Sequence, residues 1–302
     1  MAAAIELQNL TRAFGTKLAV NDVTFSVQAG DCYGLIGPNG AGKTTTFSMM
    51  CGFLRPTGGT LRVLGIDPFE PGALKGKVGV LPQDAILPPA WPVGTLLTYY
   101  GRLSGLTDPE GQARAALERV KMLDTWKVDA GTLSHGMAKR VAMAQALMGE
   151  PPVILLDEPT AGLDPKIAAS IRGIIRDLKS KHTVVVSSHN LQELEELCDA
   201  TAIMDKGKLV SAATMVEITG SESEFRVQLA KGTVPLAEVK ALSGCKDAKL
   251  ESPELLVVRY DGQGVQPGDI ITRTVALLAS HDVQILGVWR GKKLEDKVLS
   301  LT

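Results

Sequence analysis

Gly37-Pro38-Asn39-Gly40-Ala41-Gly42-Lys43-Thr44 fits the pattern G-x-x-x-x-G-K-[ST], and it stands between an apolar strand expected over 32–36 and a helix expected from Lys43 onward. That context gives the pattern its chemistry. Glycines let a loop wrap with its amide N–H groups turned inward, where they bind polyphosphate oxygens, and the following helix adds the partial positive charge of its N-terminus. In such a loop Lys43 reaches the β and γ phosphates and the Thr44 hydroxyl binds Mg2+, with Thr45 next in the nucleotide-binding set.

A second stretch, Val153-Ile154-Leu155-Leu156-Asp157-Glu158, is an unbroken apolar run ending in two carboxylates. It predicts a buried parallel strand that delivers acids at its C-terminal edge, the edge where ligands bind in an open α/β sheet. Asp157 is then placed to hold Mg2+ and Glu158 to polarise an attacking water. Such a pair alone often does no more than cap the next helix. Together with the loop at 37–44 it points to nucleoside triphosphate hydrolysis.

Further motifs follow in a fixed order: Val80-Leu81-Pro82-Gln83-Asp84, Leu133-Ser134-His135-Gly136-Met137, Ala161-Gly162-Leu163-Asp164-Pro165, and Ser187-Ser188-His189 at the end of a β-branched run. With the two stretches above, they resemble the ATP-binding subunits of ABC transporters from residue 5 to about 219. The resemblance implies an α/β P-loop ATPase core with an antiparallel β layer and a helical subdomain over about 92–150. It implies ATP and Mg2+ as ligands, with Gln83 touching metal and water and His189 contacting the γ phosphate and orienting Glu158. Ser134, Gly136 and Asp164 fall at positions that complete the nucleotide site of a second, head-to-tail subunit, and a homodimer is expected. Phe14 falls where the family stacks an aromatic on adenine, although an aromatic before a glycine turn also fits a core position.

The signature departs from the family pattern LSGGQ in two places. His135 stands for a glycine and Met137 for the glutamine. Met137 is a variation known among exporter ATPases, whereas the His135 imidazole either points away as a neutral surface group or contacts the phosphate. The acidic helix expected over 191–198 carries Glu193, Glu195 and Glu196, read as a solvated face.

Composition narrows the class. A chain of 302 residues with a formal net charge of -1 is long enough for more than one domain and lacks the basic excess of a protein that grips nucleic acid. No stretch approaches the ~20 apolar residues of a membrane span, so any pore is expected in a separate permease. Residues 1–10 lack a basic then apolar pattern and carry Glu6, so no secretory leader is expected. Cys32, Cys51, Cys198 and Cys245 have no metal-ligand spacing and suit reduced thiols. The expected location is the cytoplasmic face of the membrane, through the permease.

Helices are expected at 93–103, from Asp108 as N-cap to 123, and at 166–181. Residues 221–302 read as a second domain, with strands at 224–229, 248–252, 254–260 and 283–289 and helices at 235–242, 270–280 and 294–301. The order βαββαβ is that of a ferredoxin-like unit and resembles the small C-terminal domain of exporter-type ATPases. Regulation, dimer contact and simple stabilisation are all open for it. The reading that follows is export powered by ATP. A soluble relative acting on ribosomes or DNA is the alternative, disfavoured by the single cassette and the short helical insert; an importer ATPase is a third, differing mainly in its tail.

Overall fold

The computed structural model describes residues 2–298 apart from 180, 221, 222, 263, 292, 293, 296 and 297. Cα packing divides the chain into two compact units that meet between Ala213 and Thr214, ahead of the boundary at 220 read from the sequence.

The first unit is built on a six-stranded sheet of order β5-β6-β7-β3-β8-β9. Its strands are β3 (Cys32–Ile36), β5 (Val78–Leu81), β6 (Val153–Asp157), β7 (Thr183–Ser187), β8 (Ala200–Asp205) and β9 (Lys208–Thr214). Pairing is parallel from β5 through β6, β7 and β3 to β8. Every residue of β3, β6 and β7 is buried, which is why these strands are continuous apolar runs with no polar alternation. Because β6, β7 and β3 are neighbours, the loops that follow them leave one edge of the sheet side by side.

A three-stranded antiparallel sheet, β1 (Ala3–Phe14), β2 (Lys17–Gln28) and β4 (Gly58–Val63), has β1 in the middle. Its Ile5, Leu7, Leu10, Val20 and Val23 share a core with Met49 and Met50 of α1 (Lys43–Met50) and with Leu35 of β3. Each such side chain contributes about 1.5–3 kcal/mol on full burial. The β layer is therefore a wall of the nucleotide-binding core, and it fixes the far side of α1.

The helical subdomain consists of α2 (Val93–Leu103), α3 (Pro109–Arg119) and α4 (His135–Leu147). Asp108 caps α3 by accepting from the Gly111 N–H at 3.0 Å, and Pro109 fills the first helical position. The helix read as far as 123 stops at Arg119. Lys121 takes a left-handed conformation (φ 56°), which turns both Val120 and Met122 into the core. Residues two apart on a continued helix face different sides, so one of them would have stayed exposed. Two further helices complete the unit, α5 (Pro165–Leu178) and α6 (Leu191–Leu197).

The second unit begins with α7 (Met215–Thr219), closed by a capping box between Thr214 and Glu217. There follow β10 (Glu224–Lys231), α8 (Leu236–Lys240), β11 (Cys245–Ser252), β12 (Leu255–Tyr260), α9 (Pro267–Ser280) and β13 (Gln284–Arg290). All pairings in its sheet are antiparallel and the order is β11-β12-β10-β13, the ferredoxin-like arrangement. Phe225, Val227, Leu256, Val258, Tyr260, Ile270 and Leu278 form its own core. The closing helix expected over 294–301 lies largely outside the described residues.

One contact sets where α4 lies against the sheet. Gly79 in β5 packs so tightly on α4 that a β-carbon there would sit 1.8 Å from the Ala146 carbonyl oxygen. Gly79→Ala is expected to cost about 3 kcal/mol by forcing helix and strand apart. Urea unfolding checks this, and an unchanged midpoint would show that α4 shifts without cost.

Candidate active site

The glycine-rich loop folds as the sequence requires. Gly42, the residue ahead of α1, has φ 100°, and a β-carbon on it would lie 2.5 Å from the Ala19 carbonyl oxygen. Only glycine meets both conditions. Ala41 is buried, and its N–H donates to Pro38 O at 3.1 Å, which closes the loop turn. Lys43 is folded back, its Nζ donating to Gly37 O at 2.6 Å and Pro38 O at 3.3 Å. Burial lowers the pKa of this ammonium, while Glu158 and Asp157 pull it the other way.

Asn39, Gly40, Gly42, Lys43, Thr44 and Thr45 face Gln83, Glu158, Ala161 and His189 across a cleft of about 510 Å3. The second acid of the strand end is thus brought opposite the lysine of the loop. Its backbone sits at φ 47°, and its N–H donates to the Ser187 carbonyl (3.2 Å) and hydroxyl (3.0 Å). His189 Nδ1 lies 2.8 Å from Glu158 Oε2. The carboxylate is recessed, about 10 % exposed, whereas the imidazole is 67 % exposed. Asp157 is buried behind this wall and accepts a hydrogen bond from Ser187 Oγ. Burial raises its pKa, and the Ser187 hydroxyl, Lys139 and Lys43 oppose that rise.

The remaining sequence-predicted residues stand apart from this cleft. Phe14 ends β1 half-exposed, with the Arg12 guanidinium 4.6 Å from its ring centroid, so the core reading of this aromatic does not hold. Ser134 is the exposed N-cap of α4 and accepts from the Met137 N–H at 3.3 Å. Gly136 is buried under Ile167. His135 is exposed and its Nε2 lies beside Gly162. Asp164 caps α5, accepting from the N–H groups of Lys166 (3.1 Å) and Ile167 (3.0 Å).

One expectation is overturned and one residue was passed over. Glu193 is not on a solvated face: it is buried, and its Oε2 accepts from Thr160 Oγ1 at 2.7 Å and Ser188 Oγ at 3.3 Å, with Arg172 3.8 Å from Oε1. It thereby ties the segment after Glu158 to the segment before His189. The sequence held a signal for it, since Asn190 caps α6 and Glu193 stands at the third helical position. Glu196, by contrast, is exposed and pairs with Arg176. Lys139 is buried in α4 and its Nζ donates to Gln83 O at 2.8 Å; the run 137–148 also carries Arg140 and Gln145, so nothing in the sequence set this lysine apart.

Residues 20–161 match the family model described as ABC transporter. The chain is 31 % identical to the linearmycin resistance ATP-binding protein LnrL of Bacillus subtilis over 99 % of this chain and 98 % of that protein. It is 37 % identical to the Nod factor export ATP-binding protein I of Burkholderia lata over 73 % of this chain and 74 % of that protein. A solved ATP-binding subunit of an ABC transporter superposes with a TM-score of 0.67 at 26 % identity, covering 72 % of this chain and 92 % of that one. Among the described residues no helix is long and apolar enough to cross a membrane. A glycine-rich loop, a strand-end glutamate and a histidine assembled at one cleft, on a chain that matches a relative over nearly the whole of both lengths, make this protein a member of the ABC transporter family, an ATP-binding cassette ATPase.

Proposed function

We propose that the chain hydrolyses ATP in a head-to-tail dimer and thereby powers export through a separate membrane permease. The observation that carries this reading is the Glu158–His189 pair facing Lys43, Thr44 and Gln83 across one cleft. Glu158 takes the proton of the attacking water. His189 holds that carboxylate through Nδ1 and offers Nε2 to the γ phosphate. Lys43 exchanges the carbonyls of Gly37 and Pro38 for phosphate oxygens, a trade of neutral acceptors for charged ones that favours binding.

Mg2+ fits the donors present. The Thr44 hydroxyl, the Gln83 amide and the Asp157 carboxylate are hard oxygen ligands, too few for a protein cage and suited to a cation that shares the phosphates of its substrate. When bound, it neutralises charge on the β and γ phosphates. Phe14 has a ring face exposed for adenine stacking. Ser134 caps α4 with a lone pair, which leaves its O–H to donate to the partner's γ phosphate, with the Gly136 amide beside it and Asp164 along the same seam.

Ile86, shortly after Gln83, and Tyr99 and Leu103 of α2 are exposed apolar side chains of the kind that suits a docking helix of the permease. Through it the chain sits at the cytoplasmic face of the membrane. The names of the two relatives, one for resistance and one for export, favour outward transport.

Glu158→Gln is expected to bind ATP, to lose hydrolysis by about 100-fold or more, and to dimerise with Mg-ATP, because the amide keeps the shape and loses the basicity. Light scattering and phosphate release check both halves, and wild-type turnover in the variant would remove Glu158 as the base. A second expectation concerns Asp157. Its folded pKa lies above its unfolded one, so the stability it contributes is present in acid and lost as pH rises through the folded value. Asp157→Asn should therefore raise the nucleotide-free Tm at neutral pH, by about 2–4 °C for each kcal/mol relieved, and converge with wild type in acid. The same variant should lose the Tm increase that Mg-ATP gives wild type. A lower Tm at neutral pH would contradict the electrostatic account.

A further inference from the structure

The signature helix α4 has two chemically distinct attachments. At its exposed N-terminus stands Ser134, and five residues on, Lys139 is buried with Nζ 2.8 Å from the Gln83 carbonyl oxygen. Burying a cation costs several kcal/mol unless its surroundings return the loss. Here Asp157, Asp84 and Glu158 lie close enough to stabilise the ammonium, while burial acts against it. A neutral apolar residue would fill this place in an otherwise apolar helix face, where Val141, Met143, Ala144 and Leu147 are buried. The cation instead binds the backbone at Gln83, in the cleft-lining loop ahead of α2.

A rigid helix that carries Ser134 at its tip and grips Gln83 along its side cannot shift at one end without moving the other. Gln83 lines the chain's own cleft. Ser134, on the dimer reading above, meets the nucleotide held by the partner. We propose that Lys139 is a positioning residue that couples the two ATP sites of the dimer, transmitting closure of the signature on one nucleotide to the Gln83 loop at the other. This rests on the head-to-tail reading. Coupling of this kind is a differential free energy between sites and shows itself as cooperativity in ATP concentration, with a Hill coefficient bounded by the number of sites.

The test compares wild type, Lys139→Met and Lys139→Arg in ATP-dependent hydrolysis, with dimerisation of each measured in the Glu158→Gln background. Wild type and Lys139→Arg, which keeps charge and donor, are expected to show a Hill coefficient approaching about 2. Lys139→Met is expected to fall to about 1 while still dimerising with Mg-ATP. Should Lys139→Met fail to fold, Lys139→Gln, whose amide is one bond too short to reach Gln83 O, reads the same loss. A Hill coefficient unchanged on removing the lysine, or a wild type that is already non-cooperative, overturns the proposal. Failure of the Glu158→Gln protein itself to dimerise would instead strike at the dimer reading, so the two failures are told apart.

Discussion

The site depends on the join between the C-terminal ends of β6 and β7. Asp157 and Ser187 are paired in register, Ser187 donates its hydroxyl to Asp157, and both its carbonyl and its hydroxyl oxygen receive the Glu158 N–H. One serine thus ties down two adjacent acidic residues, one buried and one turned into the cleft. The left-handed backbone at Glu158 is what makes that divergence of adjacent side chains feasible. With β3 next to β7, the glycine-rich loop emerges beside the acids.

Around this join the protein gathers Lys43, Lys139, Asp157 and Glu158 in a partly desolvated space. Burial opposes the charged forms of Lys43, Lys139 and Asp157, and the opposite charges nearby work against that effect. Such an arrangement is costly in the absence of ligand. Preorganised charge of this kind is worth most where a polyphosphate and a divalent cation arrive to complete it. Lys43 meanwhile donates to the carbonyls of Gly37 and Pro38.

Much of this was legible in the sequence because the chemistry sits at the ends of continuous apolar strands. Gly37 to Thr45, Asp157, Glu158 and His189 follow such strands directly, and local pattern placed them. The cap at Asp108 was equally local. For Glu193 the local pattern marked only its place after the Asn190 cap, and not its burial, because its partners Thr160 and Ser188 reach it from a different strand end and from the loop before its own helix. The end of α3 at Arg119 escaped for a related reason: a left-handed Lys121 buries two apolar residues that helical periodicity would have split. Lys139 owes its role to a backbone carbonyl far away in sequence, and no residue pattern announces such a contact. The ferredoxin-like order of the second unit, by contrast, followed from the succession of short elements alone.

The central claim is that each ATP site is completed by the signature of a second copy. It is tested most directly by mixing two proteins, each inactive alone: Ser134→Arg, which blocks the partner's phosphate, and Lys43→Ala, which disables its own loop. A heterodimer of the two retains one intact site, formed by the phosphate loop of the first and the signature of the second. Random assortment then returns up to about a quarter of wild-type hydrolysis. Recovery on mixing is the predicted result, and a mixture as inactive as its components, under conditions where wild type dimerises, would contradict a site shared between subunits.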